Sequence, residues 1–238
     1  MPLRLRRPEL ARRIAERLPS LNQHALVPAV LALLTMTLLG AGSAGATTVS
    51  RRDVYFAAGY EHQVDGRTCT AAATAMMMNF IAGRDLNLGQ LFILRYEQPR
   101  DALNDAVQRG SDPLGWSRAA TYFSRRTPHP TTYAWEAYDS EVVALLRAAR
   151  QIALTGKAVG LLIDHGTHAV VMTGYTATRS PLHGQFAVLS ITYSDPNGVH
   201  HQAVAAASSP LDRYYQTDAT PSYDRLWYGK FIIVAPQY

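Results

Sequence analysis

Cys69, the single cysteine of this chain, is the residue whose type and position best suit nucleophilic chemistry. It lies where a polar loop containing Gly66 changes into an apolar, helix-favouring segment, so the sequence places it at a helix N-terminus. The unpaired N–H groups and the positive end of the helix dipole favour a thiolate there, and the same N–H groups can bind an oxyanion. A second interpretation is a buried, unreactive thiol, because free cysteine is among the most buried residue types.

Gln63 adds a second possible donor for the same chemistry. It lies six positions before Cys69, in the polar loop. A side-chain amide at this place could donate a hydrogen bond to the oxyanion that forms when a thiolate attacks a carbonyl carbon. The loop and the helix start would then supply the nucleophile and the oxyanion site together.

Cysteine catalysis also needs a base for the thiol proton and a third group that orients this base. His168 is the candidate base, because it begins an apolar, β-branched segment directly after Gly166-Thr167 and would lie at a sheet edge. Asp195 is the candidate orienting carboxylate, since it ends the next such segment at a turn containing Pro and Gly. Adjacent antiparallel strands would bring His168 and Asp195 side by side.

Other residues could fill these roles. His165, three residues before His168, is a second candidate base, and Asn197 could orient the imidazole in place of Asp195. A metal site is conceivable on ligand type, from His165, His168, Asp195, His200 and His201. Their spacing matches no recognised ligand pattern, so we expect no metal ion and no cofactor. The candidate catalytic residues are Cys69, His168, Asp195 and Gln63.

The elements that would position these residues are helices in the first half of the chain and strands in the second. Apolar periodicity predicts helices at residues 69–82, 88–96, 101–108, 115–123 and 140–154. Runs of β-branched and aromatic residues between turn residues predict strands at 159–163, 168–175, 186–193 and 226–234. Helices followed by strands, rather than alternating with them, indicate an α+β fold with an antiparallel sheet.

The first 46 residues have the order of a secretory signal peptide. Six arginines in the N-terminal part are followed by an apolar run at residues 25–39 and by the small-residue sequence Ala44-Gly45-Ala46. We expect cleavage after Ala46. The alternative is an uncleaved membrane anchor, but the apolar run is shorter than the ~20 residues of a spanning helix, and Pro28 interrupts it.

The chain after the leader is predicted to be one nearly neutral domain. Removal of residues 1–46 leaves 192 residues, enough for one domain with a substantial core. We expect residues 47–53 to be a polar tether and residues 54–238 to fold. The leader has six arginines against two glutamates, a net +4 of the formal +5. Lys, Arg and aromatic residues do not cluster in the rest as they do in nucleic-acid-binding surfaces, so nucleic acid is not an expected partner.

The order of the candidate residues resembles that of the papain-like cysteine peptidases. The shared features are Gln63 before the cysteine, Cys69 before an apolar helix, His168 at the start of a strand, and Asp195-Pro196 at the end of the next strand. The resemblance implies a papain-like fold. It also implies that Cys69 is the nucleophile, that His168 is the base and acid, that Asp195 orients His168, and that Gln63 donates to the oxyanion.

The resemblance covers about residues 54–236 and is strongest in one branch of these peptidases. Gly156-Lys157-Ala158-Val159 and residues 166–175 are similar to the double-glycine peptidases that process bacteriocin leaders, and to their stand-alone secreted relatives. Such relatives often have Gly-Pro directly after the cysteine, whereas this chain has Thr70-Ala71.

From this resemblance we expect a secreted cysteine peptidase that hydrolyses the amide bonds of a peptide or protein substrate through an acyl-enzyme. One alternative is a transglutaminase-like acyl transferase that passes the same acyl group to an amine. Another is a catalytically inactive secreted binding or effector domain of the same fold. Membrane contact is expected only through the leader before cleavage, and the sequence indicates no particular oligomeric state.

Overall fold

The structure is a computed structural model, and it describes residues 49–102, 110–215 and 226–238. The chain divides into two units after Ala46, and every described residue belongs to the second unit, Thr47–Tyr238. The expected leader therefore lies outside the described residues. Among the helices in the described ranges, none is long and apolar enough to cross a membrane.

The described residues form an α+β domain with its helices mostly in the first half and its strands mostly in the second, as the sequence predicts. The helices are α1 (Cys69–Ala82), α2 (Gln90–Glu97), α3 (Pro113–Ser124) and α4 (Glu141–Thr155). The strands are β1 (Ser50–Asp53), β2 (Tyr133–Tyr138), β3 (Val159–Ile163), β4 (His168–Ala177), β5 (Val188–Asp195), β6 (Val199–Ala205) and β7 (Phe231–Pro236).

These strands form a seven-stranded antiparallel sheet in the order β2-β7-β3-β4-β5-β6, in which β1 also pairs with β4. Strand β4 is long enough to pair with two strands on one side. Its first half pairs with β3, from His168 to Met172, and its second half pairs with β1, from Gly174 to Ala177. Strand β5 covers the other side of β4, which places the start of β4 beside the end of β5.

The sheet has a core on each face. Successive side chains of a strand point to opposite faces, so Leu162 and Val171 pack with α1, α2 and α3, whereas Leu161 and Val170 pack with α4. Both sets are buried. This central part of the sheet is therefore covered by helices on both faces, and it provides a rigid base for the residues at the strand ends.

Helix α1 lies in the middle of one of these cores. Every residue from Cys69 to Phe80 is buried, and the helix packs against α2, α3 and β4. A helix that is mainly apolar on all sides suits such a central position. Gly83 ends the helix in the left-handed conformation, with φ 61°, which glycine adopts without strain.

The predicted bounds of α1 and β3 agree with the structure at both ends, and those of α2, α3, α4, β4 and β5 differ by at most two residues. Strand β7 begins later than predicted, because residues 226–227 are helical and residues 228–229 form a turn with Gly229 at φ 72°. The predicted helix at residues 101–108 lies mostly outside the described residues.

Strands β1, β2 and β6 were not predicted. Residues Ser50–Asp53, expected to belong to a tether, pair with the second half of β4. Strand β6 is largely exposed at one end of the sheet, and at the other end β7 is the one described strand that pairs with β2. Strands β1 and β6 are largely exposed, so neither has the run of buried apolar residues that would reveal a strand in the sequence.

Candidate active site

Cys69 is the first residue of α1, and the preceding loop leaves the helix N-terminus without a side-chain cap. The hydroxyl of Thr68 bonds instead to the backbone of Asp65, donating to its carbonyl at 3.0 Å and accepting from its N–H at 3.2 Å. The first N–H groups of an α-helix lack intrahelical partners. The thiol therefore lies at a helix start whose donors no side-chain cap satisfies.

His168 and Asp195 meet across neighbouring strands. His168 is the first residue of β4, Asp195 is the last residue of β5, and the two strands are antiparallel. The distance from His168 Nε2 to Asp195 Oδ1 is 2.7 Å. The side chains are 13% and 19% exposed, respectively, so the pair is largely shielded from water.

The carboxylate of Asp195 is stabilised in its charged form. Burial raises its pKa, but hydrogen bonds from His168 and from the backbone N–H of Asn197 outweigh burial and hold the pKa below its usual value. The Asn197 N–H donates to the same Oδ1 atom at 2.7 Å. Asn197 thus contributes its backbone to the carboxylate, and it is Asp195 that contacts the imidazole.

The imidazole of His168 lies between Asp195 and Cys69. Burial lowers its pKa, but hydrogen bonds and charge interactions with Asp195 and Cys69 outweigh burial and raise the pKa to about 10. Because Nε2 is bonded to Asp195, Nδ1 is the ring nitrogen left for the thiol. The arrangement favours a protonated imidazole beside the sulfur of Cys69, which is buried and 6% exposed.

Gln63 is held next to the turn that follows Asp195. Its backbone N–H donates to the carbonyl of Pro196 at 2.9 Å. Its side-chain oxygen Oε1 is buried and has no hydrogen-bond partner among the described residues. A buried polar group that is left without a partner costs free energy, and such groups are often found at functional sites.

Gln90, which the sequence did not suggest, fixes the backbone on both sides of Gln63. Its side-chain Nε2 donates to the carbonyl of His62 at 2.7 Å, and its Oε1 accepts from the N–H of Val64 at 3.0 Å. Gln90 is itself buried and is the first residue of α2. Since the contact joins distant parts of the chain, no local sequence pattern could have revealed it.

Tyr60 holds the turn after Asp195 from the other side and was also missed in the sequence. Its hydroxyl donates to the carbonyl of Asp195 at 2.9 Å and accepts from the N–H of Gly198 at 3.1 Å. Its ring stacks on His200, with the ring centres 3.9 Å apart. The Tyr60 hydroxyl therefore fixes the backbone of the turn that carries the Asp195 carboxylate, and the Tyr60 ring packs on the side chain of His200 just after this turn.

The alternative histidines lie elsewhere. His165 is 68% exposed in its side chain, and its Nδ1 is 3.2 Å from Asp212 Oδ2. His201 pairs with Asp53 at 2.8 Å. Across the described ranges, no three or more His, Cys, Asp or Glu side chains are grouped so that they could hold a metal ion.

A buried carboxyl group supports α1 directly behind Cys69. Glu97 accepts hydrogen bonds from the hydroxyls of Thr70 at 2.8 Å and Thr74 at 3.5 Å. Burial raises the pKa of Glu97 to about 8, because the two hydroxyl donors offset the loss of water only in part and the charge of Asp112 adds to the shift. This contact ties the first turns of α1 to α2.

Two comparisons with known proteins find no match to this chain. No protein-family model matches it, and no curated protein matches it significantly.

Proposed function

We propose that this protein is a papain-like cysteine peptidase or a closely related amide hydrolase. The observation that carries the proposal is the convergence of three elements: Cys69 at the start of α1, His168 at the start of β4 and Asp195 at the end of β5. A nucleophile beside a base, with the base oriented by a third group, is the arrangement that covalent catalysis needs.

In the proposed reaction the Cys69 thiolate attacks the carbonyl carbon of an amide. The N–H groups at the start of α1 and the side-chain amide of Gln63 stabilise the oxyanion. The C–N bond then breaks, and His168 donates its Nδ1 proton to the leaving amine. Water next attacks the thioester while His168 takes a proton from it, the C–S bond breaks, and a carboxylic acid leaves.

Export is part of the proposal. The arginine-rich start, the apolar run and Ala44-Gly45-Ala46 support a signal peptide that is removed before the protein acts. N-terminal sequencing of the exported protein should give Thr47 as the first residue. Recovery of the intact chain from membranes would show an anchor instead.

The test of the chemistry is mass spectrometry of the purified protein after reaction with an activated aryl ester. We expect one acyl group on Cys69 and a burst of the aryl alcohol, followed by slow hydrolysis. Cys69→Ala should lose the adduct, and His168→Ala should form it far more slowly. An acyl group found on other residues, or an unchanged rate in His168→Ala, would exclude the mechanism. Adding a primary amine distinguishes hydrolysis from acyl transfer by the ratio of the products, because a transferase should form mainly the amide and a hydrolase mainly the acid.

The burial of Cys69 favours one other candidate, a binding domain that keeps the fold without turnover. A thiol that is 6% exposed has restricted access. Such a domain would be alkylated slowly at Cys69 and with the pH dependence of an ordinary thiol, whereas the proposed peptidase would be alkylated rapidly at low pH.

A further inference from the structure

A groove on the helical side of the domain is lined by basic and aromatic side chains. It is formed by the end of α2 and the turn after it, by α3, and by the start of β2, and its volume is about 610 Å³. Small-molecule sites in proteins are roughly 300–1,000 Å³. The arginines that line it are Arg100, Arg118 and Arg125.

The groove is separate from the candidate active site. Tyr133, which lines it, begins β2 at one end of the strand order, whereas Asp195 ends β5 near the opposite end of that order. Cys69, His168 and Asp195 do not line the groove.

Packing on a tyrosine ring fixes the position of Arg100, and a second arginine lies near another tyrosine ring. The guanidinium carbon of Arg100 is 3.6 Å from the ring centre of Tyr96, and the ring of Tyr96 stacks on that of Tyr122 at 4.3 Å. Arg125 lies 5.8 Å from the ring centre of Tyr122. A guanidinium that packs its face on an aromatic ring keeps its N–H edges free for a planar oxyanion.

Within the described part of the chain, the hydrogen bonds of Arg100 and Arg118 occupy only some of their donors. Arg100 Nη1 donates to the carbonyl of Tyr96 at 2.8 Å, and Arg118 Nη1 donates to the carbonyl of Arg100 at 3.0 Å. A guanidinium has five N–H donors. In contrast, Arg147 is paired with the carboxylate of Glu136.

No carboxylate of the described residues balances the positive charge of the arginines in the groove. None of the described side chains that line it is Asp or Glu, and none of its arginines forms an ion pair with a described carboxylate. The two carboxyl groups that flank residues 98–100 in the sequence accept hydrogen bonds from hydroxyl groups. Glu97 accepts from Thr70, and Asp101 accepts from the hydroxyl of Ser111 at 2.6 Å.

We propose that this groove binds a small anion that carries two or more oxyanion groups, either phosphates or carboxylates. Arg100, Arg118 and Arg125 would donate to these groups, and the bound charge would relieve the repulsion among the three guanidinium groups. The proposal does not depend on the peptidase activity, because no residue of the candidate active site takes part.

Isothermal titration calorimetry of the purified protein tests the proposal. Pyrophosphate and citrate are titrated separately, at matched ionic strength. At least one anion should bind saturably with a Kd below about 1 mM, which is a modest affinity for a small ligand. Binding should weaken as salt is raised. Preference for pyrophosphate assigns a phosphate ligand, and preference for citrate assigns a carboxylate ligand.

The double variant Arg118→Gln/Arg125→Gln should weaken this binding by roughly tenfold or more, because it removes two charged donors. Arg126→Gln is the matched control: Arg126 follows Arg125 in the chain, lies near Phe123 and does not line the groove. It should leave the affinity within about twofold, a change that is small beside the loss of a charged hydrogen bond. Melting curves verify that each variant is folded. Failure of both anions to bind, or binding that the double variant does not weaken, would overturn the proposal.

Discussion

Two histidines three residues apart, one in the loop before β4 and one at the start of β4, each pair with an aspartate, and the surroundings of the two pairs differ. His168 and Asp195 are 2.7 Å apart and largely shielded, with side chains 13% and 19% exposed. His165 and Asp212 are 3.2 Å apart and more open, with side chains 68% and 35% exposed. Of the two histidines, His168 is the one whose charge is coupled to Cys69.

The pKa values of the two carboxylates, Asp195 and Asp212, are shifted in opposite directions. Burial raises the pKa of both, but in Asp195 the hydrogen bonds from His168 and Asn197 outweigh burial and lower it. In Asp212 burial exceeds the effect of His165, and the pKa stays raised. The same two residue types therefore form either a charged pair that can orient a base or a loop contact, and the difference lies in the hydrogen bonds around them.

The largest expected effect separates the two histidines. At a pH two units below the ordinary thiol pKa of ~8.5, only about 1% of a free thiol is ionised, so loss of the imidazolium should slow Cys69 alkylation on the order of 10²-fold. His168→Ala should show this loss with iodoacetamide, and His165→Ala should keep most of the rate. Exchange of these behaviours would make His165 the base, and no change in either variant would favour the binding-domain function.

The second prediction concerns the loop that carries Gln63. Gln63→Ala should lower kcat on the order of 10²-fold through the lost oxyanion donor, while iodoacetamide labelling of Cys69 is unchanged because alkylation forms no oxyanion. Gln90→Ala should give a smaller loss of kcat, about tenfold, since it acts only by displacing the backbone around Gln63. Gln202→Ala, an exposed amide on β6, is the control and should leave kcat unchanged. Equal losses in all three variants would argue against a specific role for the loop.

The third prediction tests the two carboxylates directly. The hydrogen bond to Asp195 is the largest of the interactions that raise the pKa of His168. Asp195→Asn should therefore lower that pKa from about 10 and reduce turnover, without abolishing labelling of Cys69. Asp212→Asn should leave the titration of His168 unchanged. The measurement is an NMR titration of His168. Equal changes of the His168 pKa in the two variants would show that Asp195 has no specific effect on this imidazole.

The smallest effect on activity is expected from substitution of Glu97. This substitution should instead change how the stability depends on pH. Its pKa is about 8 in the folded protein and 4.5 in the unfolded chain. Between these values the folded state keeps a proton that the unfolded state has lost, so the free energy of unfolding falls as pH rises from about 4.5 to about 8. Glu97→Gln should flatten this dependence, as measured by urea unfolding across that range.

The control for this stability test is Glu141→Gln, at a less buried carboxyl group. It should change the slope of stability against pH much less than Glu97→Gln does. A slope of stability against pH that is the same in Glu97→Gln as in the wild type would show that Glu97 is ionised in the folded protein.

The sequence by itself determined the features that depend on neighbouring residues. The change from a polar loop to an apolar segment located the start of α1 at Cys69, and Gly166-Thr167 before β-branched residues located the start of β4 at His168. It also predicted that β4 and β5 would be adjacent and antiparallel, because consecutive strands are usually neighbours in a sheet.

Only the tertiary structure decided which residues support those positions. Gln90 reaches the backbone around Gln63, Tyr60 holds the turn after Asp195, and β1 completes the side of β4 that β3 leaves unpaired. The arginine-lined groove likewise combines residues of α2, α3 and β2. Local propensity acts over a few residues, whereas these contacts satisfy donors, acceptors and apolar surfaces that lie far apart in the chain, so they exist only once the sheet and helices have packed together.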